Sequence, residues 1–239
     1  MKYQDILTKD NSLVLRGLAI MTIILHNLLH TSQLGFSKEN EMSFSYENVS
    51  HFFYLVDSGN INIYELFSFL GWTGVPVFIF LTGYGTAYSN TSNIICKTEY
   101  IKKQWIKLFI LMFPAVMLFA VGDIIDAAWI TLTKRFLYLT ELVNIGYPWL
   151  KCSPGVYWYF SLTFQFYLLY ALLGKYLTGK NLLLGAILTT IGLGFLEGPD
   201  CPSALSVYKH CFTGWFPVFA LGVWLGRHPN VNMVTTNHS

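Results

Sequence analysis

The sequence predicts an all-α protein, a polytopic transmembrane helix bundle of about six spans with one interfacial helix. Three observations carry that prediction. Of the 239 residues, 54% are hydrophobic and only 12% charged, against about 25% charged in soluble domains. Long apolar runs recur along the chain, several near the length of about 20 residues that crosses a bilayer. Lys and Arg gather in alternate connections between those runs, as they do in membrane proteins of fixed orientation. A formal charge of +2 is too small to make nucleic acid a partner.

The first span covers about residues 12–31 and includes LVLRGLAIMTIILHNLLH. It keeps a polar face and lacks a small-residue cleavage site, so it is expected to be retained as a helix. Residues 32–65 read as a polar loop. The second span, about 66–88, is LFSFLGWTGVPVFIFLTGYGTAY, and Pro76 is expected to kink it unless neighbours satisfy the freed backbone. A basic segment with Lys97, Lys102, Lys103 and Lys107 leads into the third span, about 105–122. Residues 123–153 mix helical apolar spacing with charges, which suits an interfacial amphipathic helix or a shallow re-entrant segment. The fourth span runs from Pro154, a favoured helix-start residue, to about Leu173. LLLGAILTTIGLGFL and CFTGWFPVFALGVWLG supply the fifth and sixth.

With the N-terminus inside, ten of the 15 Lys and Arg residues fall on the inner side. The positive-inside rule therefore expects a cytoplasmic N-terminus. The four cysteines show no metal-ligand spacing and no C-x-x-C, so no metal site is expected. A Cys201–Cys211 bridge is open if their side is oxidising, and buried free thiols are the simpler expectation.

Polar residues inside the first span are costly at bilayer depth unless they meet a cavity or a partner. Arg16 and His26 lie about 15 Å apart along the helix axis. His26 and His30, four residues apart, share one face. Asn27 points elsewhere and suits a helix–helix hydrogen bond. Gln165, inside the fourth span, needs a bonded or polar setting.

LRGLAIMTIILHNLLH resembles the first helix of the acyltransferase family 3 membrane proteins, marked by an Arg or Lys and a His about one span apart. GWTGVPVFIFLTGYG is similar to that family's second helix, which typically reads GxxGVxxFFxLSGF. YIKKQWIKLF resembles its basic segment before the third helix, and PGVYWYFSLTFQFYLLY its WFLxxExQFYLL block. GWFPVFALGVWLGR is similar to a later helix ending in LGxxxGR. These stretches follow one another in register over residues 13–227.

The chain also departs from the family pattern. His26 follows Arg16 one residue sooner than usual, a rotation of about 100° on a helix. Gln104 and Lys107 stand where an Arg-x-x-Arg is frequent, and Thr163 stands where the Trp-Phe block has Glu. Residues 1–239 read as one acyltransferase domain with fewer spans than the family. A copy truncated at the C-terminus, a degenerate copy and half of an assembly are the expectations, the last with a partner chain that supplies the missing helices.

The resemblance implies a membrane O-acyltransferase. It would move an acyl group, most simply acetyl, from cytoplasmic acyl-CoA to a hydroxyl of a cell-surface polysaccharide or lipid-linked glycan. Membrane lipid would surround it in the inner membrane, acyl-CoA would be a co-substrate, and no cofactor would stay bound. His26 takes the family's place for the base, since an imidazole in apolar surroundings stays neutral. Arg16 is a candidate clamp for a phosphate of acyl-CoA, or else a snorkelling anchor. Lys102, Lys103 and Lys107 could draw in the donor's phosphates, or set topology and meet anionic lipid. His30, Thr163, Gln165 and Tyr167 are candidates for lining the acceptor cavity. A glycan-precursor transporter and an inactive membrane subunit are the rival readings. Transport without acyl-CoA would mark the first, and helices on a partner chain the second.

Overall fold

The structure is a computed structural model that describes residues 7–31, 45–89, 96–125, 129–140, 142, 144, 158–196 and 208–228. Most of the described residues are helical, with no strand among them. Among the described residues, three helical segments are long and apolar enough to cross a membrane: Lys9–Leu29, Ile63–Ser89 and Lys97–Ile125. Helix α1 spans Lys9–Thr31, α2 Tyr46–Asp57, α3 Ile63–Leu70, α4 Gly74–Ser89 and α5 Lys97–Ile125. Helices α6 (Trp129–Leu137), α7 (Trp158–Leu173), α8 (Gly179–Leu196) and α9 (Phe212–Arg227) follow. The chain divides into two compact units, residues 1–81 with 228–239 and residues 82–227. The division falls inside α4, between Leu81 and Thr82.

In the first unit α1 packs on α3 and on the short 3-10 turn Gly71–Thr73 that joins α3 to α4. The second predicted span is therefore two helices with a break. The break precedes Pro76, which falls in the first turn of α4, where its missing N–H leaves no bond unmade. The segment expected as a polar loop contains α2. Ser45 caps it by accepting from the Asn48 N–H at 3.4 Å. Its buried Phe52 stacks on Phe69 of α3 at 4.3 Å between ring centroids. Apolar residues of α2 such as Phe53, Tyr54 and Val56 are exposed as well, which blurs its apolar period. Gly59, at φ +68°, turns the chain toward α3. There Asn62 and Glu65 form a reciprocal capping box, with both bonds at 3.0 Å.

The second unit is built on α7, whose residues Ser161–Phe166 are all buried. A helix apolar all round belongs in a core. Helix α7 packs against α5 and α9, and α9 packs against α8. Phe166 and Phe219 stack across the α7–α9 contact at 4.2 Å. Helix α5 begins at Lys97, so the basic segment forms its first turns instead of preceding it. Lys and Glu are good helix formers, which extends the helix beyond its apolar stretch. Pro114 sits inside α5 and Pro217 inside α9.

Helix α6, in the predicted interfacial segment, is tied to the end of α5 by a paired Arg135 and Asp123. Nη2 donates to Oδ1 at 2.8 Å and Nε donates to Oδ2. The guanidinium also lies over the Phe119 ring, 5.1 Å from its centroid. Pro154, expected at a helix start, lies outside the described residues, as do Cys152 and Cys201. Cys211 is a buried free thiol and Cys96 an exposed one.

Candidate functional site

In the first unit the candidate site begins from the narrow buried seam of α1. Ala19, His26 and Leu29 are buried, and the spacing of three and four residues puts Thr22 and Ile23 between them on the same stripe. The opposite face is apolar but exposed, with Leu13, Val14, Leu18, Ile24 and Leu28 each at least half accessible. Two glycines across the seam set how close α1 comes. A Cβ built on Gly71 would lie 2.6 Å from His26 Cβ and 2.7 Å from the Thr22 carbonyl. One built on Gly74 would lie 2.5 Å from the Ala19 carbonyl oxygen. The glycines thus form the floor on which the first helix rests.

That close approach buries His26 to 3% exposure and brings its Nδ1 within 3.4 Å of the Phe67 carbonyl oxygen. A carbonyl can only accept, so Nδ1 is the donor in this contact, and in the neutral ring Nε2 is then the nitrogen that carries the lone pair. This tautomer is the one that can take a proton from a substrate hydroxyl through Nε2. Arg16, ten positions earlier on the same helix, is half-buried, and its Nη2 donates to the Leu81 carbonyl at 3.4 Å. The side chain of His30 lies outside the described residues.

In the second unit Thr163 and Gln165 are both 5% exposed on α7. Gln165 Oε1 accepts from the Phe212 N–H at 3.0 Å, at the start of α9. Tyr167 is half-buried and meets the ring of Tyr100 edge-on at 6.3 Å between centroids. Lys102, Lys103 and Lys107 are all exposed on the first turns of α5. Among the described contacts, none joins these lysines to Thr163, Gln165 or Tyr167.

Several polar residues escaped the sequence reading. Asn144 is fully buried, and its amide nitrogen donates to the carbonyls of Trp158 and His210 at 2.7 and 2.6 Å. Thr82, Thr86 and Ser161 are also buried. Phe67 enters through its carbonyl, which no side-chain pattern announces. For Asn144 the available signal was an amide placed between Val143 and Ile145.

Compared with known proteins, the chain matches no curated protein and no solved structure. The profile of the acyltransferase domain of family 3 does match, over residues 13–234, and so takes in both units. Arg16, His26, Asn27 and His30 of α1 and the whole of α2 to α9 fall inside the matched stretch. By that match the chain belongs to acyltransferase family 3 and is a membrane acyltransferase.

Proposed function

We propose that the protein transfers an acyl group, most simply acetyl, from acyl-CoA to a hydroxyl of a cell-surface polysaccharide or a lipid-linked glycan. The observation that carries this reading is the burial of His26 with its Nδ1 against the Phe67 carbonyl. In the reaction Nε2 takes the proton of the acceptor hydroxyl as its oxygen attacks the thioester carbonyl carbon. The C–S bond breaks, the CoA sulfur leaves as thiolate, and the imidazolium returns the proton to it. The products are an ester and free CoA, and His26 is unchanged. General-base catalysis of this kind contributes about 10²–10⁴-fold.

Arg16 serves as a fixed cation on the same helix, with donors suited to a phosphate of the donor. Lys102, Lys103 and Lys107 add a diffuse positive field at the end of α5 where the CoA nucleotide arrives. In this reading His30 is the acceptor-facing residue beside His26 in the first unit, and Thr163, Gln165 and Tyr167 border a polar cavity of the second. The N-terminus lies in the cytoplasm and the membrane is the inner membrane, which places the donor inside and the glycan outside.

The test is transfer of radiolabelled acetyl from acetyl-CoA into glycan, in membranes bearing the intact chain or His26→Ala at equal protein levels. The expected result is label incorporated by the intact chain and a loss of at least about 10²-fold in the variant. Equal incorporation by both would remove His26 from the reaction. No label above empty membranes would count against acetyl transfer by this chain alone.

A further inference from the structure

Helix α2 has two unlike sides. Val49, Phe52 and Leu55 fall on one stripe, and the buried Phe52 stacks on Phe69 of α3. Tyr46, Ser50, Phe53 and Asp57 run along the other side with Glu47 and Tyr54 beside them, and all six are exposed. The rings of Tyr46, Phe53 and Tyr54 are 76%, 56% and 67% exposed. A helix that has already set its apolar side against protein ordinarily turns polar residues outward. Here three aromatic rings stand outward instead, interleaved with two carboxylates and a hydroxyl. A patch of that kind marks an interaction surface.

The chemistry of the face selects its occupant. Lipid suits the exposed stripe of α3, where Ile63, Leu66 and Leu70 are all apolar. It does not suit α2. Helices that lie in the membrane interface carry Lys or Arg on their polar face, and α2 has neither. Glu47 and Asp57 stand among the rings, so lipid that covered the rings would cover carboxylates too. Asp57 also ends the helix, where the dipole repels a carboxylate, so helix stability does not explain its place. The same two charges repel an anionic partner. A neutral polyhydroxylated partner meets every requirement. The C–H faces of sugar rings lie on the negative face of an aromatic ring, and sugar hydroxyls donate to carboxylates.

We propose that this face of α2 binds a neutral glycan, the acceptor of the acyl transfer. Tyr46, Phe53 and Tyr54 stack on its sugar rings, and Glu47 and Asp57 accept hydrogen bonds from its hydroxyls. The face extends over about 16 Å, which suits an oligosaccharide instead of a single sugar. Residues 58–62 separate α2 from Ile63–Ser89, which is long and apolar enough to cross the membrane. Helix α3 links the face to the candidate base: its Phe69 stacks on α2, and its Phe67 carbonyl accepts from His26. As the seat of the acceptor, the face rests on the acyl-transfer reading and on α2 lying outside the cell. As a glycan-binding surface it stands without that reading.

The experiment is hydroxyl-radical footprinting of the full chain in nanodiscs of neutral lipid, without acyl-CoA. The chain is probed alone and with neutral oligosaccharides of glucose, galactose, mannose, rhamnose or N-acetylglucosamine. Oligoglucuronate and oligosialate serve as the acidic comparison. The expected result is oxidation of Tyr46, Phe53 and Tyr54 in the chain alone, and their protection by at least one neutral oligosaccharide but by neither acidic one. Rings that are not oxidised in the chain alone are covered by the bilayer or by a second copy, and that result overturns the proposal. So does a lack of protection by every neutral sugar, or equal protection by the acidic ones. In the double variant Phe53→Ala, Tyr54→Ala, protection read at Tyr46 should need about tenfold more sugar. An unchanged midpoint overturns the proposal as well. The wild-type footprints decide the question even if that variant does not fold. Protection without acetyl transfer would sink the acyl-transfer reading and keep the binding face, and transfer without protection would do the reverse.

Discussion

His26 depends on an absence at Gly71 as much as on any contact. A methyl group there would press on the histidine's own Cβ and on the Thr22 carbonyl, neither of which can swing aside. Gly71→Ala is expected to cost about 1–3 kcal/mol of stability through overpacking and to lower kcat more than KM. Gly85→Ala, at a position with open space, should leave both unchanged. Thermal unfolding in detergent together with acetyl-transfer kinetics checks the pair. Equal behaviour of the two variants would show that the seam does not hold His26. The histidine was legible in the sequence because an ionisable group in an apolar run must be explained by a cavity or a partner. Its partner was not, because the Phe67 carbonyl is main chain and any residue at that position would supply it. Gln165 divides the same way: its polarity stands out in α7, whereas the Phe212 N–H that orients it leaves no mark on the sequence.

At the scale of elements, the helices in apolar runs were readable, but their ends were not. Helix α5 runs eight residues further toward the N-terminus than its apolar stretch suggests, because side chains such as Lys propagate a helix readily. Helix α2 was hidden because only Phe52 of its residues is buried, so the 3.6-residue period is written faintly. The start of α3 is set by a single side chain. Asn62→Ala removes the cap from the Glu65 N–H and should cost about 1 kcal/mol, whereas Asn62→Asp should keep most of it. A melting comparison of the two separates a capping role from a merely tolerated residue. The α5–α6 junction depends on charge in the same way. Asp123→Asn leaves the Arg135 guanidinium without its counter-charge and should lower the melting temperature. Exchanging the two residues should recover part of that loss, and no recovery would mean the pair's geometry is not what matters.

At the scale of the molecule, composition and charge asymmetry announced a helical membrane protein before any residue was singled out. The proposed orientation rests on the same asymmetry, and Cys96 offers a direct check because its thiol is exposed just before α5. A membrane-impermeant maleimide should label Cys96 in broken cells and leave it unlabelled in intact ones. Labelling in intact cells would reverse the proposed topology and put the basic turns of α5 on the wrong side for acyl-CoA. The division of the chain inside α4 was not legible, since an uninterrupted helix shows no composition shift at Leu81 and Thr82.

The seam between α1 and the glycines also bears on biogenesis. Residues 9–31 leave the ribosome before residues 71–74 are made, so α1 enters the bilayer while the surface that will cover His26 does not yet exist. Its apolar outer face is enough to hold it there, but the imidazole must wait against lipid, translocon or water until the second hairpin arm arrives. Insertion and seating are thus two events, and a slower arrival of α3 and α4 would lengthen the interval in which α1 is exposed to quality control. Codon choice or chain stalling between residues 31 and 63 would then change the yield of protein without altering one contact of the finished fold.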